Sequence, residues 1–192
     1  LHRIGDLDYA RRVTEANLQI CERNHWSDDI SRSHRVLGDL NSDTGNNESA
    51  RTHYESALKL ARSISVRNVL IEALLARGRL FAKTSEVFAK HPRNVVKGAE
   101  TSEVSQAFND LNEALGYCVE SGYRIYEADV RVALAWAYMA DLTPGPSPTG
   151  RGESLKKAKD SAERALQMSN EMGYYWGKVD AEKVLQRMNV EL

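Results

Sequence analysis

Proline is scarce in this chain. Only four of its 192 residues are proline, and three of them fall within Pro144-Gly145-Pro146-Ser147-Pro148. Elsewhere little interrupts backbone N–H donation, so most of the length is free to be helical. Cysteine is scarcer still. Cys21 and Cys118 are too few for a disulfide framework, and a reducing, cytoplasmic setting is the expectation. No apolar run approaches the ~20 residues that a membrane-spanning helix needs. The start, Leu1 to Asp6, has no apolar central segment and does not read as a signal peptide. With no initiator Met there, a piece cut from a longer protein is expected. Excess charge of one sign is absent too. A net charge of −1 leaves no electrostatic footprint for nucleic acid or an anionic membrane. What remains, 42% apolar and 28% charged residues, is an ordinary composition that can bury a core as one domain or one continuous array.

Sites of chemistry are equally sparse. His2, His25, His34, His53 and His91 form no metal-ligand spacing. His34 and His53 sit in segments that should pack together and can meet, but surface or boundary positions are the simpler reading. Gly150-Arg151-Gly152 follows no strand and lacks the spacing of a phosphate loop. The carboxylates spread along helix faces, and none is singled out as a general acid or base. Neither cysteine has a base supplied by a motif. No catalytic residue, metal or cofactor is expected, and the chain does not read as an enzyme.

What is present is repetition. A shift of 40 residues places Gly5 on Gly45, Ala10 on Ala50, Leu18 on Leu58, Gly38 on Gly78 and Leu40 on Leu80. A shift of 51 places Ala107 on Ala158, Ala114 on Ala165, Gly122 on Gly173 and Tyr123 on Tyr174. One interval is constant at 21 residues: Asn17 to Gly38, Ala57 to Gly78, Ala114 to Ala135, and Ala165 to Gln186. The other connection varies from 12 to 29 residues. Helix pairs joined tightly on one side, with insertions collecting on the other, are how stacked repeats accommodate extra sequence. Cys21, Ala61, Cys118 and Ser169 fall on one equivalent place, where a small residue lets helices approach.

Eight helices are expected, at about 6–23, 28–41, 47–63, 66–83, 102–120, 123–141, 153–172 and 174–190. Ser27 is the expected N-cap of the second, and Asn46 and Asn47 are better explained by capping the third than as a glycosylation triplet. The fourth carries Val69, Leu70, Ala73, Leu74, Leu80 and Phe81, a broad stripe suited to burial on two sides. That helix can persist through Phe88 until His91-Pro92 stops it. Insertions without regular structure are expected at about 91–101 and 142–152. The basic loop Lys90 to Lys97 reads as solvated, with contact to an acidic partner as the alternative.

The order and spacing of Leu37, Gly38, Ala50, Tyr54 and Ala57 resemble one tetratricopeptide repeat (TPR). The period of about 40 is similar to the long-helix TPR arrays of bacterial signalling ATPases and transcriptional regulators. Residues 144–152 also look like peptides encoded by dispersed repeats in bacterial genomes. The resemblance departs from the pattern at Thr14 and Asn17, where an aromatic and an alanine are usual. Arg77 stands where Leu37, Leu134 and Leu185 are apolar, so looser packing is expected there. The resemblance implies an all-α right-handed solenoid of helix hairpins, with 1–192 as a single array.

It also implies a concave groove lined by the second, fourth, sixth and eighth helices. Helical spacing gathers Arg32, Arg35 and Asp39 on one face; then Glu72, Leu75 and Arg79; then Asp129, Val132 and Trp136; then Asp180, Lys183 and Arg187. Trp136 reads either as an aromatic anchor for a partner or as packing against a neighbouring helix. The leading expectation is a non-catalytic module that binds a protein or peptide in this groove. Self-association through an unpartnered first helix is an alternative. A small-ligand sensor or helical enzyme with a site inside the superhelix is another.

Overall fold

The computed structural model describes residues 6–90, 99–141 and 148–191. It is all-α. The helices are α1 (Leu7–Asn24), α2 (Ser27–Asp43), α3 (Asn47–Ile64), α4 (Arg67–Lys90), α5 (Ala99–Ser121), α6 (Arg124–Ala140), α7 (Pro148–Met172) and α8 (Tyr175–Glu191). No strand occurs among the described residues. All eight expected helices form. Two begin earlier than their composition implied. α5 starts at Ala99, inside the expected loop, and α7 starts at Pro148, so that Pro148 to Gly152 are helical. Proline's fixed φ suits the first helical position, where its missing N–H costs nothing. Most of the basic loop and the remainder of both insertions lie outside the described residues.

The caps also differ from expectation. Trp26, not Ser27, is the N-cap of α2; Asn46 is the N-cap of α3 as expected, but neither residue makes a side-chain capping bond. Asn47 Oδ1 is buried with no hydrogen-bond partner among the described residues. Asp6 does cap α1, accepting from the Tyr9 N–H at 3.1 Å.

The chain divides into two compact units, Leu1–Leu80 and Phe81–Leu192. In the first, Ala10 of α1 meets Leu37 and Leu40 of α2, flanked by Leu7, Leu18 and Val36. Ala50 and Tyr54 of α3 meet Ala76 and Leu80 of α4. The α4 stripe is buried as the pattern required: Val69, Leu70, Ala73, Leu74, Leu80 and Phe81 are all enclosed. Full burial of a side chain such as Leu74 is worth roughly 1.5–3 kcal/mol. Arg77 is half-buried where its counterparts Leu37 and Leu134 are buried.

The second unit is built on small residues. Ala158, Ala162 and Ala165 line one face of α7 and lie against Val132 and Ala135 of α6 and Ala181, Val184 and Met188 of α8. Alanines at this spacing let three helices approach closely while leaving no side-chain bulk between them. Phe108 of α5 stacks obliquely on Tyr138 of α6, with centroids 4.8 Å apart.

The tight turns repeat in geometry. His25, Ser65, Gly122 and Gly173 each adopt a left-handed conformation, with φ between 55° and 70°. The N–H groups of Trp26, Tyr123 and Tyr174 then return to the carbonyls of Cys21, Cys118 and Ser169 at 2.8–3.0 Å. This closing bond is the signature of a Schellman turn. The four equivalent small residues, Cys21, Ala61, Cys118 and Ser169, are all buried, as their spacing implied.

Candidate functional site

Arg32, Arg35 and Asp39 recur on α2 every three or four residues, which aligns them along one face. Glu72 projects from α4 and joins them. Its carboxylate lies 3.7 Å from Arg32 Nε and 3.6 Å from Arg35 Nε. Arg35 Nη1 donates to Asp39 Oδ2 at 2.7 Å. The other Asp39 oxygen accepts from the Tyr54 phenol of α3 at 2.8 Å. Arg32 also faces Asp28 at 3.4 Å and Asp29 at 3.6 Å. A continuous polar chain therefore runs Glu72–Arg35–Asp39–Tyr54 across three helices.

Two members are fixed by the packing of α2 on α3. The Tyr54 ring is buried against Gly38, and Asp39 follows that glycine in sequence. Burial, with the adjacent Asp39 carboxylate, pushes the phenol well above its usual range, so Tyr54 stays a donor. The two arginine side chains are 34% and 28% exposed. Pairs this open to water contribute about 0–1 kcal/mol each. The network's main consequence is order, with two guanidinium groups fixed at a half-open face. Arg79, seven residues after Glu72 on α4, is exposed.

In the second unit the residues picked from the pattern are arranged differently. Asp129 of α6 accepts from the Tyr174 phenol at 3.1 and 3.3 Å. Lys183 faces Asp180 on its own helix at 3.7 Å. Arg187 is half-buried. Trp136 is half-buried and packs against the alanine cluster of α6, α7 and α8, which is the packing alternative of the two readings. Beside it on α6, Arg131 donates to Glu127 at 2.7 and 2.8 Å.

Two participants were missed by sequence reasoning. Tyr54 read as a packing position and Tyr174 only as the repeat partner of Tyr123, yet each donates to an acidic residue of the candidate face. The available signal was the need of a buried phenol for a hydrogen-bond partner.

Neither cysteine is poised as a nucleophile. Both cysteines are free and buried. Burial pushes the Cys118 thiol up to about 12, helped by Glu127 and Asp129. Burial, then Asp29 and Asp28, raises Cys21. No group of three or more His, Cys, Asp or Glu able to hold a metal ion occurs among the described residues. No helix among them is long and apolar enough to cross a membrane. No protein-family model and no curated protein matches the chain.

Proposed function

We propose that the chain is a non-catalytic interaction module, a TPR-like solenoid that holds a protein or peptide segment along the face of α2 and α4. In this reading it serves as the interaction or sensor arm of a larger bacterial signalling protein in the cytoplasm. The observation that carries it is Glu72 shared between Arg32 and Arg35. Arg35 Nε is buried beside Glu72 without a hydrogen bond, so a partner carboxylate would meet the two ordered guanidinium groups at their exposed edges rather than in the place of Glu72. Because Asp39 and Tyr54 already fix Arg35, little side-chain freedom is lost on binding. The test is a random-peptide array probed with the folded chain. Acidic peptides should be enriched, and Arg35→Ala should abolish their capture while Lys59→Ala, on the exposed side of α3, leaves it intact. Identical capture by both variants, or none by the parent, defeats the reading.

A second reading, self-association, is favoured by α1. Tyr9, Val13 and Ile20 are 44–49% exposed and, with Ala16, form a stripe along one face. An apolar stripe of this spacing is what helix-to-helix docking uses. Mass measured by light scattering should rise with concentration, and Val13→Glu should remove the rise. A parent chain that stays monomeric at all concentrations excludes it.

A further inference from the structure

His34 of α2 and His53 of α3 meet through like atoms. Their Nδ1 nitrogens are 3.2 Å apart, with ring centroids at 5.4 Å and planes inclined by 35°. Both rings are half-buried. A hydrogen bond between two imidazole Nδ1 atoms needs one N–H and one bare lone pair. The facing nitrogens thus accommodate one proton. A second proton sets two N–H groups against each other and two cations side by side, in a setting less screened than water. No Asp, Glu, Cys or third His joins the pair in a group able to hold a metal ion among the described residues.

We propose that His34 and His53 form a pH-sensitive latch on the α2–α3 hairpin, closed while one proton lies between the rings and opened when mild acid protonates both. The charged groups acting on the latch from the neighbouring helix are Glu22 toward His34, and Arg11 and Glu15 toward His53. Burial lowers both histidines, Glu22 partly offsetting it at His34. At His53, the His34 ring and Arg11 lower it further, and Glu15 opposes them. Arg11 is itself held to α2 by its bond to Asn41 Oδ1 at 3.3 Å.

Both rings are lowered on folding, so the unfolded chain binds more protons. Stability is therefore complete above the ordinary histidine value of about 6.5 and declines as pH falls through and below it. The test is an NMR titration of the imidazole signals in the parent and in His34→Gln. His53 should titrate below the ordinary value in the parent, and His34→Gln should raise its midpoint while burial still holds it down. Thermal unfolding from pH 7 to 5 should fall less steeply in the variant. An unmoved His53 midpoint, or identical acid slopes, overturns the proposal. If His34→Gln does not fold, His53→Gln read on His34 makes the same distinction.

Discussion

The ring of Tyr54 occupies the space that a side chain on Gly38 would need. A Cβ built at residue 38 falls 2.4 Å from Tyr54 Cε1 and 2.6 Å from Cδ1. The ring cannot swing aside without breaking its bond to Asp39 and leaving the α3–α4 cluster. Gly38→Ala should therefore destabilise the protein by about 1–3 kcal/mol, the usual cost of overpacking. Urea denaturation measures it. A loss below a few tenths of a kcal/mol would mean that the ring is free to move.

Tyr54→Phe keeps the ring and deletes only the donor. Asp39 retains Arg35 but loses its bond to the phenol. A hydrogen bond to a charged partner contributes about 1.5–3 kcal/mol, and the half-open carboxylate can recover part of it from water. A loss of about 1 kcal/mol is expected. Asp39→Ala combined with Tyr54→Phe should then cost less than the sum of the two, since both remove the same bond. Strict additivity would place the phenol's value elsewhere.

These two residues also show what a sequence reveals and what it does not. Gly38 and Tyr54 were legible as a small–large pair at the contact of two helices, because packing follows periodicity. So were the helix count, the buried stripe of α4 and the four small equivalent positions. Asn46 stands at the N-cap of α3 as expected but makes no side-chain capping bond, and the N-cap of α2 falls on Trp26, one residue before Ser27, because helix boundaries depend on backbone geometry that composition does not fix. On the candidate face, spacing aligned Arg32, Arg35 and Asp39, but their link to Glu72 depends on how α2 and α4 approach. Trp136 shows the same dependence. Its register on α6 was readable, but the alanine cluster that half-buries it comes from three helices.

The left-handed turn residue predicts a stabilising change. Gly122 and Gly173 occupy it in the second unit, whereas Ser65, with φ of 55°, occupies it between α3 and α4. An L side chain in this conformation costs roughly 1–2 kcal/mol, part of which glycine gives back through the entropy of the unfolded chain. Ser65→Gly should stabilise by about 0.5–1 kcal/mol, and Gly173→Ala should destabilise by a similar amount. Denaturant midpoints with unchanged slopes would establish both, whereas a destabilised Ser65→Gly would show that the hydroxyl has its own role.

The cysteines should be inert in the folded protein. With the Cys118 thiol raised to about 12 and its side chain buried, almost none of it is ionised near neutral pH. A thiol-reactive disulfide reagent should therefore label native protein slowly and denatured protein within its ordinary reaction time. Rapid labelling of both cysteines before unfolding would contradict the burial on which this rests.

The last prediction concerns the fourth member of the small equivalent set. Ala61 is apolar, and Cys21 and Cys118 behave as small hydrophobes there, but Ser169 brings a hydroxyl into the same buried place. Its Oγ has no hydrogen-bond partner among the described residues. It also stands 2.5 Å from where a Cβ on Gly177 would be, hemmed in beside the Tyr174 ring. An unsatisfied buried hydroxyl costs about 1–3 kcal/mol, while removing one oxygen leaves only a small gap. Ser169→Ala should therefore stabilise the protein by about 1 kcal/mol, bringing the position into line with Ala61. Cys118→Ser should do the reverse by placing a hydroxyl where a thiol is content. If Ser169→Ala destabilises instead, the hydroxyl holds a bond that the helix geometry alone does not reveal, and equivalence across the four turns is limited to size.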